Sequence, residues 1–320
     1  MQKVIVAGGA GFIGSYICRQ LLEKGYLVVC IDNFITGDKK NIEDLDKNNN
    51  FHLLDHDLAT EIPPSDLLNN ISYIFHLASP ASPNKKSKRS YINFPIETLL
   101  VNSVGSYNLL MLAKSQNARF LFASSSEIYG DPEVSPQTED YFGNVNSRGI
   151  RSVYDEGKRF GEAITTAFFR KHNMDTRIVR IFNTYGPRMQ IDDGRVVSNF
   201  INQALRNEPI TVYGAGMQTR SFCYITDLVN GLLKLMFIDN LNGEVINLGN
   251  PDERNIVDVA RFIKNKIESS SEIIFETLPE DDPKKRKPDI SKAKKLLDWK
   301  PEVSFEDGLE KTIEYFKIQK

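Results

Sequence analysis

The chain is 320 residues long, 41% of them hydrophobic and 26% charged, with a formal net charge of −2 at pH 7. This length is enough for a large core, and the near-neutral charge gives no reason to expect nucleic-acid binding. No stretch approaches the roughly 20 apolar residues of a membrane span, and the chain begins directly at its first strand without a signal peptide, so we expect no membrane association and a cytoplasmic protein. Three cysteines without paired spacing favour a reducing compartment, and together with scattered histidines they predict no metal site.

A short apolar run at residues 3–7 leads into a glycine-rich turn with the spacing GxxGxxG. Glycine lets the backbone approach a pyrophosphate, and the amides that open the following helix, about residues 12–24, face the phosphates with the positive end of the helix dipole. The candidate phosphate-binding residues are Gly8, Gly11, Phe12, Ile13 and Gly14. The turn alone is weak evidence, because glycines also permit close helix packing.

A second apolar strand, residues 27–31, is followed by Asp32. Its position is close to the interval of about 20 residues at which an acid binds the adenosine ribose in dinucleotide-binding folds. A carboxylate there accepts hydrogen bonds from the two ribose hydroxyls and repels a 2′-phosphate. The pattern therefore predicts NAD, rather than NADP, as the cofactor.

Short apolar runs continue to alternate with helical patterns. The further predicted strands are residues 51–55, 73–77, 119–123, 176–181 and 245–248. This alternation predicts an α/β fold of the Rossmann type, a doubly wound parallel sheet whose ligands collect at the carboxyl ends of the strands. Asp57 and Leu58 follow the third strand, and Leu77, Ala78 and Ser79 the fourth, so all five are candidates to border the cofactor.

The alternation loosens after residue 180, where proline and glycine clusters appear. We expect an NAD-binding Rossmann domain at residues 1–180, to which a segment at about 224–248 returns. Residues 181–320 are expected to form mainly a smaller C-terminal substrate lobe folded against the strand ends.

Tyr154 and Lys158 are four residues apart and share one face of a predicted helix. The ammonium of Lys158 is expected to lower the pKa of the Tyr154 phenol from its reference value of about 10, so that the oxygen acts as a base near neutral pH. Ser125, after the fifth strand, is expected to bring a hydroxyl to the same reacting carbon. Taken alone, the pair is better explained as a solvated helical pair, but the glycine turn and Asp32 favour catalysis.

Together these motifs resemble the extended short-chain dehydrogenase/reductase family, whose members act on nucleotide-sugars. The resemblance covers almost the whole chain and is closest to the UDP-glucuronate decarboxylase branch. It rests on the strings DNFITG at 32–37, HLASPASP at 76–83, SEIYGDP at 126–132, YDEGKR at 154–159, RIFNTYGPRM at 180–189, DGRVVSNF at 193–200 and DPKKRKPD at 282–289.

The resemblance implies a reaction. NAD takes the C4 hydride of UDP-glucuronate while Tyr154 removes the hydroxyl proton, and the resulting β-keto acid loses CO2. Tyr154 and Ser125 stabilise the enolate before C5 is protonated and the hydride returns to give UDP-xylose. Glu127 is implied as a further catalytic residue, because related 4,6-dehydratases have an Asp-Glu pair where this chain has Ser126-Glu127; the alternative is that Glu127 only shapes the turn after the strand.

The resemblance also implies binding residues and an assembly. Asn33, Phe34, Thr36 and Gly37 are implied at the cofactor, together with Tyr154 and Lys158. Arg220 and Arg286 are implied at the UDP pyrophosphate, which suits a bidentate guanidinium. The weaker substrate candidates are Asn183, Arg188, Val212 and Tyr213. A homodimer is implied by analogy, paired through helices near residues 97–115 and 154–172.

Departures from the family pattern lie on the sugar side. Residues 84–94 form a longer and more basic segment than usual, residues 100–101 replace a typical Lys-Thr, and residues 147–148 stand where proline is common. The basic residues expected to replace the missing lysine near an acidic sugar are Lys85, Lys86, Lys88 and Arg89.

Two other functions remain open on the sequence. An NAD-dependent UDP-hexuronate 4-epimerase, or another nucleotide-sugar epimerase or dehydratase, would use the same tyrosine, and the 4-epimerase would keep the carboxylate. A non-catalytic subunit that binds a nucleotide-sugar or NAD is the more remote alternative.

Overall fold

The computed structural model describes residues 1–191 and 193–319, in which short strands alternate with helices. The strands are β1 (Lys3–Ala7), β2 (Leu27–Asp32), β3 (Phe51–Asp55), β4 (Ile71–His76), β5 (Arg119–Ser125), β6 (Thr176–Ile181), β7 (Thr184–Tyr185), β8 (Ile210–Tyr213), β9 (Thr219–Ser221), β10 (Cys223–Tyr224), β11 (Val245–Leu248), β12 (Glu253–Asn255), β13 (Ile273–Glu276) and β14 (Lys285–Arg286). The α-helices are α1 (Phe12–Glu23), α2 (Pro95–Leu100), α3 (Ser106–Gln116), α4 (Ser152–His172), α5 (Val196–Leu205), α6 (Ile225–Phe237), α7 (Ile256–Ile267), α8 (Ser291–Leu297) and α9 (Phe305–Ile318).

The main sheet has the strand order β3-β2-β1-β4-β5-β6-β11 within the described ranges, and every neighbouring pair is parallel. The strand order reverses between β1 and β4, and ligands of such sheets bind in the crevice at that point. The predicted Rossmann fold is confirmed. The predicted strand at 73–77 begins earlier, at Ile71, and the one at 119–123 continues to Ser125, so the serine lies within the strand.

Both faces of the sheet are buried, as expected for parallel strands covered by helices. In β1, Val4 and Val6 face a core that contains α1 and α6, whereas Ile5 and Ala7 face a core that contains α3. The predicted helix near residues 97–115 is divided by a π-helical turn at Val101–Gly105. No helix in the described part of the chain is long and apolar enough to cross a bilayer.

The segments after β6 form short sheets beside the strand ends. β7 pairs with β10, β8 with β13, and β9 lies between β12 and β14. Helix α6 packs against α1, β5 and β6, and β11 then joins the edge of the main sheet at β6. The chain therefore returns to the main sheet after β10, while the division into a cofactor domain and a substrate lobe stays a prediction.

Candidate active site

The glycine turn lies between β1 and α1. Gly8 has a φ of 81°, and a Cβ there would lie 2.7 Å from the backbone of Ala78, so both the backbone conformation and the close approach require glycine. A Cβ on Gly14 would lie 2.1 Å from the Gly8 carbonyl oxygen, so α1 is seated directly on the turn. Gly11 is the N-cap of α1, and the amides of a first helical turn have no intrahelical acceptor. The turn and these amides fit a dinucleotide pyrophosphate.

The carboxylate of Asp32 connects this turn to the loop after β2. Its Oδ2 accepts a hydrogen bond from the Ala10 amide and its Oδ1 one from the Phe34 amide, both at 2.9 Å. A carboxylate has about four lone-pair positions, so two remain for the hydroxyls of a ribose. The free acceptor positions of Asp32 fit the ribose hydroxyls of NAD, and its negative charge disfavours a 2′-phosphate.

Ser125, Tyr154 and Lys158 meet at the carboxyl end of β5. Ser125 is the last residue of β5, and α4, which carries the other two, packs against β5. The Ser125 side chain acts on the Tyr154 phenol and lowers its pKa, while its hydroxyl accepts a hydrogen bond from the Glu127 amide at 3.2 Å. Lys158 Nζ donates to the Ala123 carbonyl at 2.9 Å and lies 5.6 Å from the centroid of the Tyr154 ring. The structure thus brings together the three side chains that the two motifs predicted.

The pKa of Tyr154 differs from the expectation based on the YxxxK pattern. Burial raises this pKa to about 12, against the lowering effects of the Ser125 side chain and of the positive charge of Arg195. Burial also lowers the pKa of Lys158 to about 7. The expected lowering of the phenol pKa is therefore not found in the protein alone, because burial outweighs the groups that lower it. The Lys158 amine donates instead to the Ala123 carbonyl.

Glu127 lies among buried arginines beside the tyrosine. Its carboxylate pairs with Arg151 and, at 3.3 Å, with Arg286. Burial by itself would raise the pKa of Glu127, but the two guanidinium groups outweigh burial and hold this pKa at about 2. Glu127 is therefore an anion at neutral pH in the protein alone.

Asp282 connects a third arginine to this cluster. Its carboxylate is 2.9 Å from Arg220 Nη2 and 3.3 Å from Arg151 Nη1. Nη2 of Arg286 donates to the Gly130 carbonyl, while its Nε and Nη1 have no hydrogen-bond partner among the described residues. Three guanidinium groups thus face the two carboxylates of Glu127 and Asp282, and the cationic excess suits a phosphate-containing ligand.

A cavity of about 530 Å³ connects the glycine turn with the tyrosine and the arginine cluster. The predicted site residues that line it are Gly8, Gly11, Phe12, Ile13, Gly14, Thr36, Leu77, Ser79, Ser125, Glu127, Tyr154, Lys158, Asn183, Tyr213 and Arg220. The predicted residues outside the lining are Asp32, Asn33, Phe34, Gly37, Asp57, Leu58, Ala78, Arg188, Val212 and Arg286.

Arg188 and Val212 are the clearest differences from the predicted substrate set. The guanidinium of Arg188 lies 5.6 Å from the centroid of Tyr16 and donates to the Asn41 carbonyl, so the side chain is directed to α1 and the loop after β2. In β8 the side chains alternate, and Val212 is completely buried in the core while Tyr213 faces the cavity. Neither Arg188 nor the Val212 side chain reaches the cavity.

The basic residues of the segment after β4 do not all reach the cavity. Lys85, Lys86 and Arg89 line the cavity, whereas Lys88 is outside the lining. Nη1 of Arg89 donates to the carbonyls of Thr36 at 2.9 Å and of Gly37 at 3.2 Å. Arg89 thus lies against the loop that follows Asp32 on the predicted cofactor side, while the sequence-based expectation placed it near the sugar.

Several charged and aromatic cavity residues were not predicted as site residues, among them Arg151, Arg195, Tyr91 and Asp282. Arg151 precedes Tyr154 by three positions, and this helical spacing was a usable signal. Arg195 lies within the DGR string and pairs with Asp193 at 2.6 Å. Asp282 opens the DPKKRKPD string and Tyr91 lies in the segment 84–94, but neither position indicates locally that the side chain reaches the cavity, because each comes from a distant loop.

The short-chain dehydrogenases/reductases share this arrangement: a Rossmann sheet with a glycine turn, an acid at the end of β2 and a Ser-Tyr-Lys cluster at the end of β5. Comparisons with known proteins agree. The family model described as GDP-mannose 4,6 dehydratase matches residues 5–312.

Curated relatives and solved structures define the group more closely. UDP-glucuronic acid decarboxylase 1 of Xenopus tropicalis is 50% identical over 317 residues, 99% of this chain and 72% of that protein. UDP-glucuronic acid decarboxylase 3 of Arabidopsis thaliana is 47% identical over 319 residues, 99% of this chain and 90% of that protein. The crystal structure of UDP-glucuronic acid 4-epimerase from Bacillus cereus, in complex with UDP-glucuronic acid and NAD, is similar with a TM-score of 0.88 and 31% identity over 100% of both chains. The chain therefore belongs to the extended short-chain dehydrogenase/reductase family and, within it, to the UDP-glucuronic acid decarboxylases, so the resemblance found in its motifs is confirmed.

Proposed function

We propose that the protein is an NAD-dependent decarboxylase that converts UDP-glucuronate to UDP-xylose through a 4-keto intermediate. The observation that carries this proposal is the placement of Ser125, Tyr154, Lys158 and Glu127 around one cavity that begins at the glycine turn. The names of relatives at about half identity support the substrate and the outcome.

NAD, when bound, supplies a hydride acceptor at C4 and returns the hydride at the end of the reaction. The residues proposed to hold it are the glycine turn, the first amides of α1 and the carboxylate of Asp32. Thr36, Leu77 and Ser79 line the cavity near the turn and are proposed to border the cofactor.

Tyr154 and Ser125 are proposed to handle the C4 oxygen. The positive charge of the nicotinamide, when NAD is bound beside the phenol, would favour the ionised form of Tyr154 against the effect of burial. The ionised oxygen would then accept the proton of the C4 hydroxyl, and with the proton bound it is a hydrogen-bond donor to the enolate oxygen that forms when CO2 leaves. The hydroxyl of Ser125, which lowers the pKa of the phenol, is proposed to orient it. Donors aimed at an oxygen on which charge develops are an effective means of stabilising a transition state.

Arg220 and Arg286 are proposed to bind the UDP pyrophosphate. Arg220 lines the cavity. Arg286 has a fully buried guanidinium whose Nη1 lies 3.3 Å from Glu127 and whose Nε has no hydrogen-bond partner among the described residues. Asn183 and Tyr213 line the cavity and are proposed to contact the sugar or the uracil. The carboxylate of Glu127 pairs with Arg151 and Arg286 and offsets part of their positive charge.

A 4-epimerase of a UDP-hexuronate is the second candidate, because the B. cereus 4-epimerase has nearly the same fold over its entire length. The higher identity to decarboxylases, 50% against 31%, favours loss of the carboxylate. The two reactions differ in whether CO2 leaves.

Incubation of the purified protein with UDP-glucuronate labelled at C6 tests the proposal. We expect labelled CO2 in the trap and UDP-xylose in the NMR spectrum, with NAD regenerated. A UDP-hexuronate epimerised at C4 with the label retained would contradict decarboxylation and support the second candidate.

A homodimer is also proposed, through the surface formed by α2, the π-helical turn, α3 and α4. Exposed apolar side chains at three- to four-residue spacing share one side of these helices: Ile96, Leu100, Val104, Tyr107 and Met111, with Phe160 on α4. A second copy placed about a two-fold axis would pack the same apolar ridges against each other.

The cytoplasmic location is proposed on the three cysteines, which are all buried thiols and fit a reducing compartment. Microscopy of a fluorescent fusion in the native host tests it, and a signal confined to another compartment would contradict it.

A further inference from the structure

Tyr91 lines the cavity next to the proposed base, yet nothing in the proposed reaction uses it. Its side chain is 1% exposed, and its hydroxyl has no hydrogen-bond partner among the described residues. Buried polar atoms in folded proteins are nearly always hydrogen-bonded, so an unpaired hydroxyl facing a ligand cavity indicates a missing ligand group. Tyr91 reaches this position from the lengthened segment after β4.

The ring of Tyr91 lies flat against the ring of Tyr154. The ring centroids are 5.0 Å apart and the planes differ by 9°. Because the Tyr154 phenol meets the C4 oxygen in the proposed reaction, a group beside that ring meets a substituent of a neighbouring sugar carbon. In a hexuronate one of those substituents is the carboxylate on C5.

The charges around Tyr91 favour a donor role for its hydroxyl. Burial raises its pKa well above the ordinary value, and the charged groups that act on it are Arg151, Glu127, Asp155 and the tyrosine beside it. The phenol thus stays protonated and offers one hydrogen to an acceptor. The carboxylate of Glu127 is already engaged with Arg151 and Arg286. Asp155 Oδ1 and the Tyr91 hydroxyl both lack a hydrogen-bond partner among the described residues, so Asp155 does not accept from Tyr91 and the acceptor is left to the ligand.

A neutral donor suits a carboxylate that must leave. During decarboxylation the C5–carboxylate bond breaks, its electron pair forms the C4–C5 double bond, the C4 oxygen takes the negative charge and CO2 departs. A direct ion pair with an arginine would hold the charge on the carboxylate. A single phenolic hydrogen bond orients the group while opposing this electron flow less than a cation would.

We propose that the Tyr91 hydroxyl donates a hydrogen bond to the C5 carboxylate of the bound sugar and thereby selects an acidic sugar. This inference rests on the proposed function, since it takes UDP-glucuronate as the substrate. Tyr91 is then a specificity-determining residue supplied by the lengthened segment, in place of the lysine that the family commonly has at Leu100 and that this chain lacks.

The test compares two ligands that differ in the carboxylate. Dissociation constants for UDP-glucuronate and for UDP-xylose are measured by calorimetry with two proteins, Tyr154→Phe and Tyr154→Phe/Tyr91→Phe. The Tyr154→Phe background lets the substrate bind without turnover, and both substitutions keep the stacked rings. Loss of one hydrogen bond to a charged group predicts about 10-fold to 100-fold weaker binding of UDP-glucuronate. Binding of UDP-xylose, which has no carboxylate, is expected to change less than about twofold, within the scatter of a lost neutral contact.

The matched control is Tyr26→Phe in the same background. Tyr26 also stacks on an aromatic ring, Phe237, at 5.2 Å, but it is outside the cavity, so both dissociation constants should stay unchanged. Equal losses for the two ligands with Tyr91→Phe, or no loss for either, would overturn the inference. The proposed function is judged separately from the formation of UDP-xylose by the unmodified protein, so the two failures are distinguishable.

Discussion

Tyr154 combines a buried phenol, whose pKa the Ser125 side chain lowers, with a stacked neighbour in Tyr91. The hydroxyl takes part in the proposed proton transfer, whereas the ring takes part in packing. A substitution that removes only the hydroxyl therefore separates chemistry from structure.

Tyr154→Phe is expected to lower kcat by about 10²- to 10⁴-fold, the usual range for loss of a general base. The melting temperature and the affinity for NAD should change little, because the ring contact with Tyr91 is kept. Both are measured beside the rate of UDP-xylose formation. Turnover at the unmodified rate would refute the role of the phenol.

Glu127 makes the stability of the protein depend on pH. Its pKa is lowered from 4.5 to about 2 because Arg151 and Arg286 outweigh burial, so the folded state binds a proton less readily than the unfolded chain. A carboxylate of this kind contributes stability above pH 4.5 and loses that contribution as the pH falls through about 2.

Glu127→Gln is expected to destabilise the protein at pH 7 by on the order of 3 kcal/mol, because it leaves buried arginines without their counter-charge. The difference from the unmodified protein should shrink as the pH falls from 4.5 toward 2. Urea unfolding at several pH values measures both. Glu272→Gln, at an exposed position, is the control, and a loss of stability that does not vary with pH would contradict the pairing.

At the scale of elements, the position of α1 depends on its close contact with the glycine turn. A Cβ at Gly14 would approach the Gly8 carbonyl oxygen to 2.1 Å and Gly9 Cα to 2.8 Å, and both are backbone atoms that yield only if the helix moves. The first amides of α1 would then leave the position that fits a pyrophosphate.

Gly14→Ala is accordingly expected to weaken NAD binding at least about 10-fold, as expected for loss of one hydrogen bond to a charged group, and to lower the melting temperature. Gly25→Ala is the control. Gly25 has a φ of 81° but no atom within 4 Å of an added Cβ. The Gly25→Ala substitution should therefore destabilise the protein only through backbone strain of about 1 kcal/mol and leave NAD affinity unchanged. Fluorescence titration measures the affinity for NAD. Equal affinities for Gly14→Ala and the unmodified protein would show that the close contact of α1 with the glycine turn is not needed for NAD binding.

At the scale of the whole molecule, the apolar surface on α2, α3 and α4 is the feature that a single copy leaves exposed. Ile96 is 60% exposed and Phe160 47%, and a contiguous apolar surface of this kind is typical of an interaction site.

Val104→Glu should convert the proposed dimer to a monomer, because two copies of the charge would face each other near the two-fold axis without a partner. Analytical ultracentrifugation measures the change. Phe275→Glu places the same charge on another exposed aromatic position, on β13, and should leave the assembly intact. A monomer before any substitution would contradict the homodimer itself.

The sequence by itself determined the Rossmann sheet, the glycine turn, Asp32 and the Ser-Tyr-Lys cluster. Each of these depends on local spacing: strands are read from short apolar runs, the turn from glycines three apart, and the cluster from one helical face together with one strand end. The family resemblance added the substrate class, because its strings extend along nearly the whole chain.

Only the tertiary structure decided what surrounds the tyrosine. The pKa of Tyr154 depends on burial, which the YxxxK spacing does not encode. The salt bridges of Glu127 join residues from the turn after β5, the position just before α4 and β14, which are far apart in the chain. The contact of Tyr91 with Tyr154 and the direction of Arg188 toward α1 likewise depend on how distant loops pack. Local patterns specify elements and the residues at their ends, whereas desolvation and long-range charge pairing arise only when those elements come together.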